Sequence, residues 1–151
     1  MKKHSCGALL YTIYRNEVYI ILGKENNLWF PFKGVKKKDE THEEAAKREI
    51  YEETYGTVIV DTIDLACKFT TNRKHYHIGI CEVPYETLFV INNNKKLLIN
   101  KSNHKDIKDF LEKSAIRIFP LSKILNYKFH YITEIPIKHY YTYLLSINNK
   151  I

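Results

Sequence analysis

The chain has 151 residues, 44% of them hydrophobic and 27% charged, and a formal net charge of +7. This suits a single globular domain over residues 1–151 with one sizeable core, and no apolar run approaches the ~18 residues of a membrane span. Its three cysteines, Cys6, Cys67 and Cys81, are odd in number and form no CxxC pair, which argues against a disulfide framework or a structural zinc site and for the cytoplasm or another reducing intracellular compartment.

The first apolar stretch follows Met1-Lys-Lys and superficially mimics a signal peptide. It is short, alternates with polar residues and runs into Arg15-Asn16 without a small-residue cleavage site, so it reads as a strand. Residues 5–14 and 17–24 are then two strands joined at Arg15-Asn16. Residues 26–38 read as a loop containing Pro31 and Gly34, followed by a helix over 41–55. Segments 58–70 and 75–83 are rich in β-branched and aromatic residues and read as strands, with a turn at 71–74. Residues 91–104 are rich in Asn and Lys and read as a mobile insert or a long hairpin. A short helix over 106–113, a strand over 115–119, Pro120 and a short helix over 121–125 follow. A C-terminal helix over 135–147 has Pro136 near its first turn.

The helix over 41–55 carries the strongest chemical signal. Thr41 and Glu44 form a Thr-x-x-Glu capping box, Glu43 and Glu44 suit the positive end of the helix dipole, and Gly56 is the expected stop. At 100° per residue Glu49 and Glu53 border the apolar stripe of Ala45, Ala46 and Ile50. Glu49, Glu52 and Glu53 stand at i, i+3 and i+4, on one face. Like charges so placed repel by roughly 0.2–0.5 kcal/mol per pair, and partial burial raises the cost. Arg48 can offset only part of this charge. A hard divalent cation with oxygen ligands is the natural remaining partner.

Gly34, five residues, Glu40, seven residues, then Arg48-Glu49-Ile50-x-Glu52-Glu53 resembles the signature of the Nudix hydrolase family. The family's closing glycine stands one residue earlier than Gly56 does here. The resemblance implies an α/β class fold, an α/β/α sandwich around a mixed β-sheet. It implies Mg2+ or Mn2+ held by Glu49, Glu52 and Glu53, with the Lys33 backbone carbonyl as a further ligand. Glu53 and Arg48 then belong to the catalytic group, and Arg48 and Glu40 brace the loop against the helix. Glu112, a few residues before the 115–119 strand, resembles the general base of mRNA decapping enzymes, with Glu82 and Glu86 as alternatives. Trp29 followed by Lys33-Gly34 resembles the entry to the motif in decapping enzymes and dinucleoside tetraphosphate hydrolases, with Pro31 one residue early. This makes Trp29, Lys33 and Lys36 the candidate substrate-binding residues, the lysines facing phosphates and Trp29 either stacking on a base or packing in the core.

The expected function is divalent-metal-dependent cleavage of a phosphoanhydride in a nucleoside diphosphate linked to another group, capped RNA or a dinucleoside polyphosphate. A diphosphoinositol polyphosphate or a nucleoside triphosphate is the alternative substrate, and a non-catalytic module binding RNA or polyphosphate is the alternative class. Residues 61–151 hold fourteen Lys/Arg against eight Asp/Glu, and residues 1–60 hold ten against nine. The basic second half suits a polyanion such as RNA, and equally a solvated lysine-rich surface. No DNA-binding motif is present. The seven histidines, His4, His42, His75, His77, His104, His130 and His139, show no metal-ligand spacing, so none is expected to bind metal.

Overall fold

The computed structural model of the chain describes residues 2–101 and 115–151. Strand β1 (Lys3–Tyr14) and strand β2 (Glu17–Glu25) form an antiparallel hairpin. Arg15 and Asn16 both take positive φ, 49° and 63°, the left-handed pair that a two-residue hairpin turn requires. Asn26 and Asn27 repeat this geometry at 50° and 64°. The segment read as a loop instead contains β3 (Leu28–Phe30), which pairs with β2, and β4 (Phe32–Val35), which pairs with β1. Helix α1 (His42–Glu53) follows.

Beyond α1, only β5 (Cys67–Thr70) of the expected 58–70 strand is regular. Val58 is buried, and Val60 and Ile63 pack against the core without joining the sheet: β propensity reports half-buried surface, not strand pairing. Strand β6 (Lys74–Glu82) runs parallel to β1 and antiparallel to β5. The Asn/Lys-rich segment forms helix α2 (Thr87–Lys101) rather than a hairpin over its described part. Its remainder and the expected 106–113 helix lie outside the described residues. Strand β7 (Ala115–Pro120) pairs with β2 and leads into a 3-10 helix, Leu121–Asn126. Helix α3 (Tyr131–Lys150) starts four residues earlier than expected, because His130 caps it by accepting the Ile132 N–H, so that Pro136 lies inside the helix.

The seven strands form one mixed sheet, ordered β3-β2-β1-β6-β5, with β4 on β1 and β7 on β2. The two-residue period of β1 sorts its side chains between the two faces. Leu9 and Tyr11 join Ile20, Leu22 and Phe119 under Ile137, Tyr140 and Leu144 of α3. Ala8 and Leu10 join Ile21 and Phe32 under Ile50 of α1 and Ile91 of α2. The result is an α/β/α sandwich around a mixed sheet. The three cysteines are free, and among the described residues no helix is long and apolar enough to cross a membrane.

Candidate active site

Helix α1 presents its carboxylates to β4. The capping box is present: the Glu44 N–H donates to Thr41 Oγ1 at 3.1 Å and the Thr41 N–H donates to Glu44 Oε1 at 2.9 Å. Ala45, Ala46, Glu49, Ile50 and Glu53 form the buried side, as the helical spacing requires. Alanines let the helix approach Cys6 of β1 closely. The helix ends at Glu53, and the first left-handed residue comes one position before the glycine. Tyr55, with φ of 55°, takes the left-handed position, its N–H bonding the Glu52 carbonyl at 3.1 Å, and the Gly56 N–H reaches the Tyr51 carbonyl at 2.7 Å. This is a Schellman ending with tyrosine where glycine is usual. The Tyr55 ring is buried in the core, and that burial holds the backbone in a conformation worth roughly 1–2 kcal/mol of strain.

Glu49 and Glu53 are only 8% and 3% exposed. The Lys33 N–H donates to Glu53 Oε1 at 2.7 Å. Gly34 leaves the room that Glu49 occupies: a Cβ there would lie 2.1 Å from the Glu49 carboxyl. Arg48 ties the group together. Its Nε and Nη2 donate to the two Glu40 oxygens at 2.6 and 2.9 Å, and its Nη1 donates to Glu49 at 2.7 Å and to Glu52 at 3.3 Å. Nη2 also reaches the Val35 carbonyl at 3.1 Å. Glu40 in turn accepts the Lys37 N–H at 2.8 Å. The Arg48 guanidinium, bonded directly to it, holds the Glu40 carboxyl down at about 2, and the same pairing pushes the Arg48 pKa up. Arg48 and Glu40 thus clamp the 33–40 segment to α1.

The structure therefore brings Lys33, Gly34, Glu40, Arg48, Glu49, Glu52 and Glu53 together. Lys36 follows β4 directly, its N–H bonding the His4 carbonyl at 2.8 Å. The Lys33 ammonium lies 5.0 Å from the Phe30 ring centre and 5.9 Å from that of Tyr76. Trp29 is half-buried, edge-on to Phe119 at 5.6 Å, with its carbonyl accepting from Thr133 Oγ1, a packing position in the core under α3. Glu112 lies outside the described residues. Glu82 and Glu86 are exposed. Glu82 sits beside Tyr11, whereas Lys33 sits beside Gly7, so the two levels differ by about 13 Å along β1 at ~3.3 Å per residue.

The donors fit a hard cation. They are carboxylate oxygens, two of the carboxylates are buried on one helix face beside Arg48, and a glycine keeps their space open. Sequence spacing did not show a second feature. The ligand nitrogens of His4, His42 and His77 lie within 4.8 Å of one another, a group able to coordinate a divalent metal. The expectation that no histidine is so placed is corrected: the three come from β1, α1 and β6, and local spacing sees only ligands on one element.

No protein-family model matches the chain, and no curated protein matches it in sequence. Solved structures do. A mutT/nudix family protein from Listeria innocua matches at TM-score 0.65 and 16% identity, covering 98% of this chain and 95% of that one. The NUDIX domain of Shewanella oneidensis NrtR, complexed with ADP ribose, matches at TM-score 0.60 and 15% identity, covering 99% and 88%. A C. elegans Ap4A hydrolase matches at TM-score 0.54 and 16% identity, covering 99% and 98%. The sheet order, the α1 carboxylates against β4 and these likenesses agree: the chain has the Nudix fold.

Proposed function

We propose that this chain is a single-domain, Mg2+- or Mn2+-dependent hydrolase of a phosphoanhydride bond in a nucleoside diphosphate linked to a further group. The observation that carries the reading is the pair of buried carboxylates, Glu49 and Glu53, held under Gly34 by Arg48 and by the Lys33 N–H. Glu49, Glu52 and Glu53, with the Lys33 carbonyl, would hold the cation. When bound, such a cation neutralises phosphate charge and acidifies a coordinated water. Arg48 and Glu40 are positioning residues that keep the carboxylates in register with the loop. Lys33 and Lys36 meet substrate phosphates, Glu112 accepts the proton of the attacking water, and Trp29 serves the core packing under α3 rather than a base.

Capped RNA and dinucleoside polyphosphates are the favoured substrates. The fold likeness to an Ap4A hydrolase over nearly the whole of both chains supports the second. The basic half of the chain, including the lysines of α2, supports the first. Diphosphoinositol polyphosphates and nucleoside triphosphates remain the alternatives for a lysine-rich loop. A binding-only module is the other class, and the complete set of Glu49, Glu52 and Glu53 favours the enzyme. Three free cysteines suit a reducing compartment.

The test is a hydrolysis panel with Mg2+ or Mn2+: capped RNA, cap dinucleotide, dinucleoside tetraphosphate, nucleoside triphosphates and an inositol pyrophosphate. Reversing Lys95, Lys96 and Lys101 to Glu separates the two favoured substrates. Capped-RNA binding should weaken with salt at a slope of roughly −0.7 per phosphate neutralised, and the reversal should reduce it while sparing the dinucleotide. Equal effects on both exclude the RNA reading, and hydrolysis of no member excludes the enzyme.

A further inference from the structure

Beyond the carboxylates, the densest group of potential ligands is at the other end of α1. Strands β1 and β6 run parallel with His4 opposite His75 and Cys6 opposite His77. Residues two apart share a face, so the His4, His75 and His77 rings crowd the same side of the sheet. Helix α1 packs on that side through Ala45 and Ala46, and its first residue is His42. Ring centres lie 4.0 Å apart for His42 and His77, 4.9 Å for His4 and His42, and 5.1 Å for His4 and His77. His4 Nδ1 and His77 Nε2 are 2.9 Å apart.

We propose that His4, His42 and His77 form a second metal site, for a borderline transition ion such as Zn2+, Ni2+ or Co2+, distinct from the carboxylate site. Three observations carry it. Nitrogens of three rings from three separate elements all lie within 4.8 Å of one another, the rings being stacked at 29–30°, so that ring rotation alone would turn them towards a shared ion. A tetrahedral zinc with bonds of about 2.0–2.1 Å separates its nitrogen ligands by about 3.3 Å, so a metal that displaces the shared proton of the 2.9 Å His4–His77 hydrogen bond needs the two nitrogens to part by only about half an ångström. His77 is satisfied on one side only: its Nε2 bonds His4, and its Nδ1, on the other side of the ring, is buried with no hydrogen-bond partner among the described residues. Nor does any carboxylate among the described residues bond to these three rings.

Imidazole donors select the metal class. They suit Zn2+, Ni2+, Co2+ and Cu2+, whereas Mg2+ takes oxygen. An open pocket lined by His42, His77, Asp64 and Lys68 leaves a fourth position for water or for a carboxylate such as Asp64. A cation beside the first turn of a helix opposes the helix dipole, and Glu43 and Glu44 in that turn offset this. His42 and Glu49 are seven residues apart, about 10 Å along the axis at 1.5 Å per residue, so the two sites load independently. A metal here fastens the start of α1 to β1 and β6, which makes its role structural.

The test is a titration of tag-free, full-length protein, stripped with chelator and held in millimolar Mg2+. Zn2+ is followed by calorimetry, and Co2+ by the visible absorption of its tetrahedral complexes. One equivalent should bind at micromolar affinity or tighter and raise the melting temperature. His42→Ala changes a half-exposed residue on the first turn and should fold. It should lose at least ~100-fold in affinity, as should His4→Gln, since even outer-shell partners are worth 10–100-fold. Glu53→Gln should bind Zn2+ as the wild type does, which keeps this result separate from the fate of the hydrolase reading. The proposal is overturned if the wild type takes up no stoichiometric Zn2+, if both histidine variants bind unchanged, or if Glu53→Gln abolishes binding.

Discussion

Gly34→Ala probes the carboxylate cradle with a single methyl group. The backbone of Gly34 pairs with Cys6 and has no left-handed φ, so the glycine serves space alone. A Cβ would stand 2.1 Å from Glu49 Cδ and Oε2, and ordinary contact begins at 3.4 Å, so the carboxylate must retreat by about 1.3 Å. That stretches the 2.7 Å bond from Arg48 Nη1 beyond hydrogen-bonding range. A charge-assisted hydrogen bond is worth about 1.5–3 kcal/mol. At ~2–4 °C per kcal/mol for a chain of this size, the melting temperature should fall by roughly 3–12 °C. Function should suffer more, because a 1 Å misplacement of a site group costs ~100-fold in rate. Calorimetry and steady-state kinetics in Mg2+ measure both. Wild-type turnover in Gly34→Ala, with or without a stability loss, refutes the role given to Glu49.

Two further predictions concern Glu40 and Glu112. The Glu40 pKa is depressed to about 2 by Arg48, so its contribution to stability is complete above the ordinary carboxylate range and is lost as pH falls towards 2. Urea midpoints at pH 7 and pH 3 should therefore differ more for wild type than for Glu40→Gln, and equal differences would remove Glu40 from the clamp. Glu112→Gln should lower turnover by ~10²–10⁴ with metal affinity little changed. A drop below about threefold would pass the base role to another group.

Much of the site was legible because it is local. The Thr41 cap, the Ala45/Ala46/Ile50 stripe and the Glu49/Glu52/Glu53 face follow from one helical period, and Arg48 reaches Glu40 across a short loop. What escaped the sequence depends on the third dimension. The histidine group draws on residues 4, 42 and 77, joined only when β1 and β6 pair and α1 lands on them. Strands β3 and β4 are three and four residues long, too short for an alternation to stand out beside Pro31 and Gly34. Val58 and its neighbours are apolar because they cover the sheet, not because they extend it. The Asn-rich composition of α2 favours turns and loops, and that propensity gave way where Ile91 joins the core. The glycine after α1 stands one residue late because the buried Tyr55 ring, anchored in the core, takes the left-handed turn itself.

The most direct measurement is the rate of phosphoanhydride hydrolysis by wild type and Glu53→Gln, each in Mg2+ and in excess chelator. Glu53 lies at the centre of the account, buried and held by the Lys33 N–H at 2.7 Å. Wild type in Mg2+ should turn over, chelator should abolish the activity, and Glu53→Gln should be slower by at least ~100-fold, on the scale of losing a principal electrostatic stabiliser, with its circular dichroism unchanged. Near-normal turnover by Glu53→Gln, or full wild-type activity in chelator, would contradict the account.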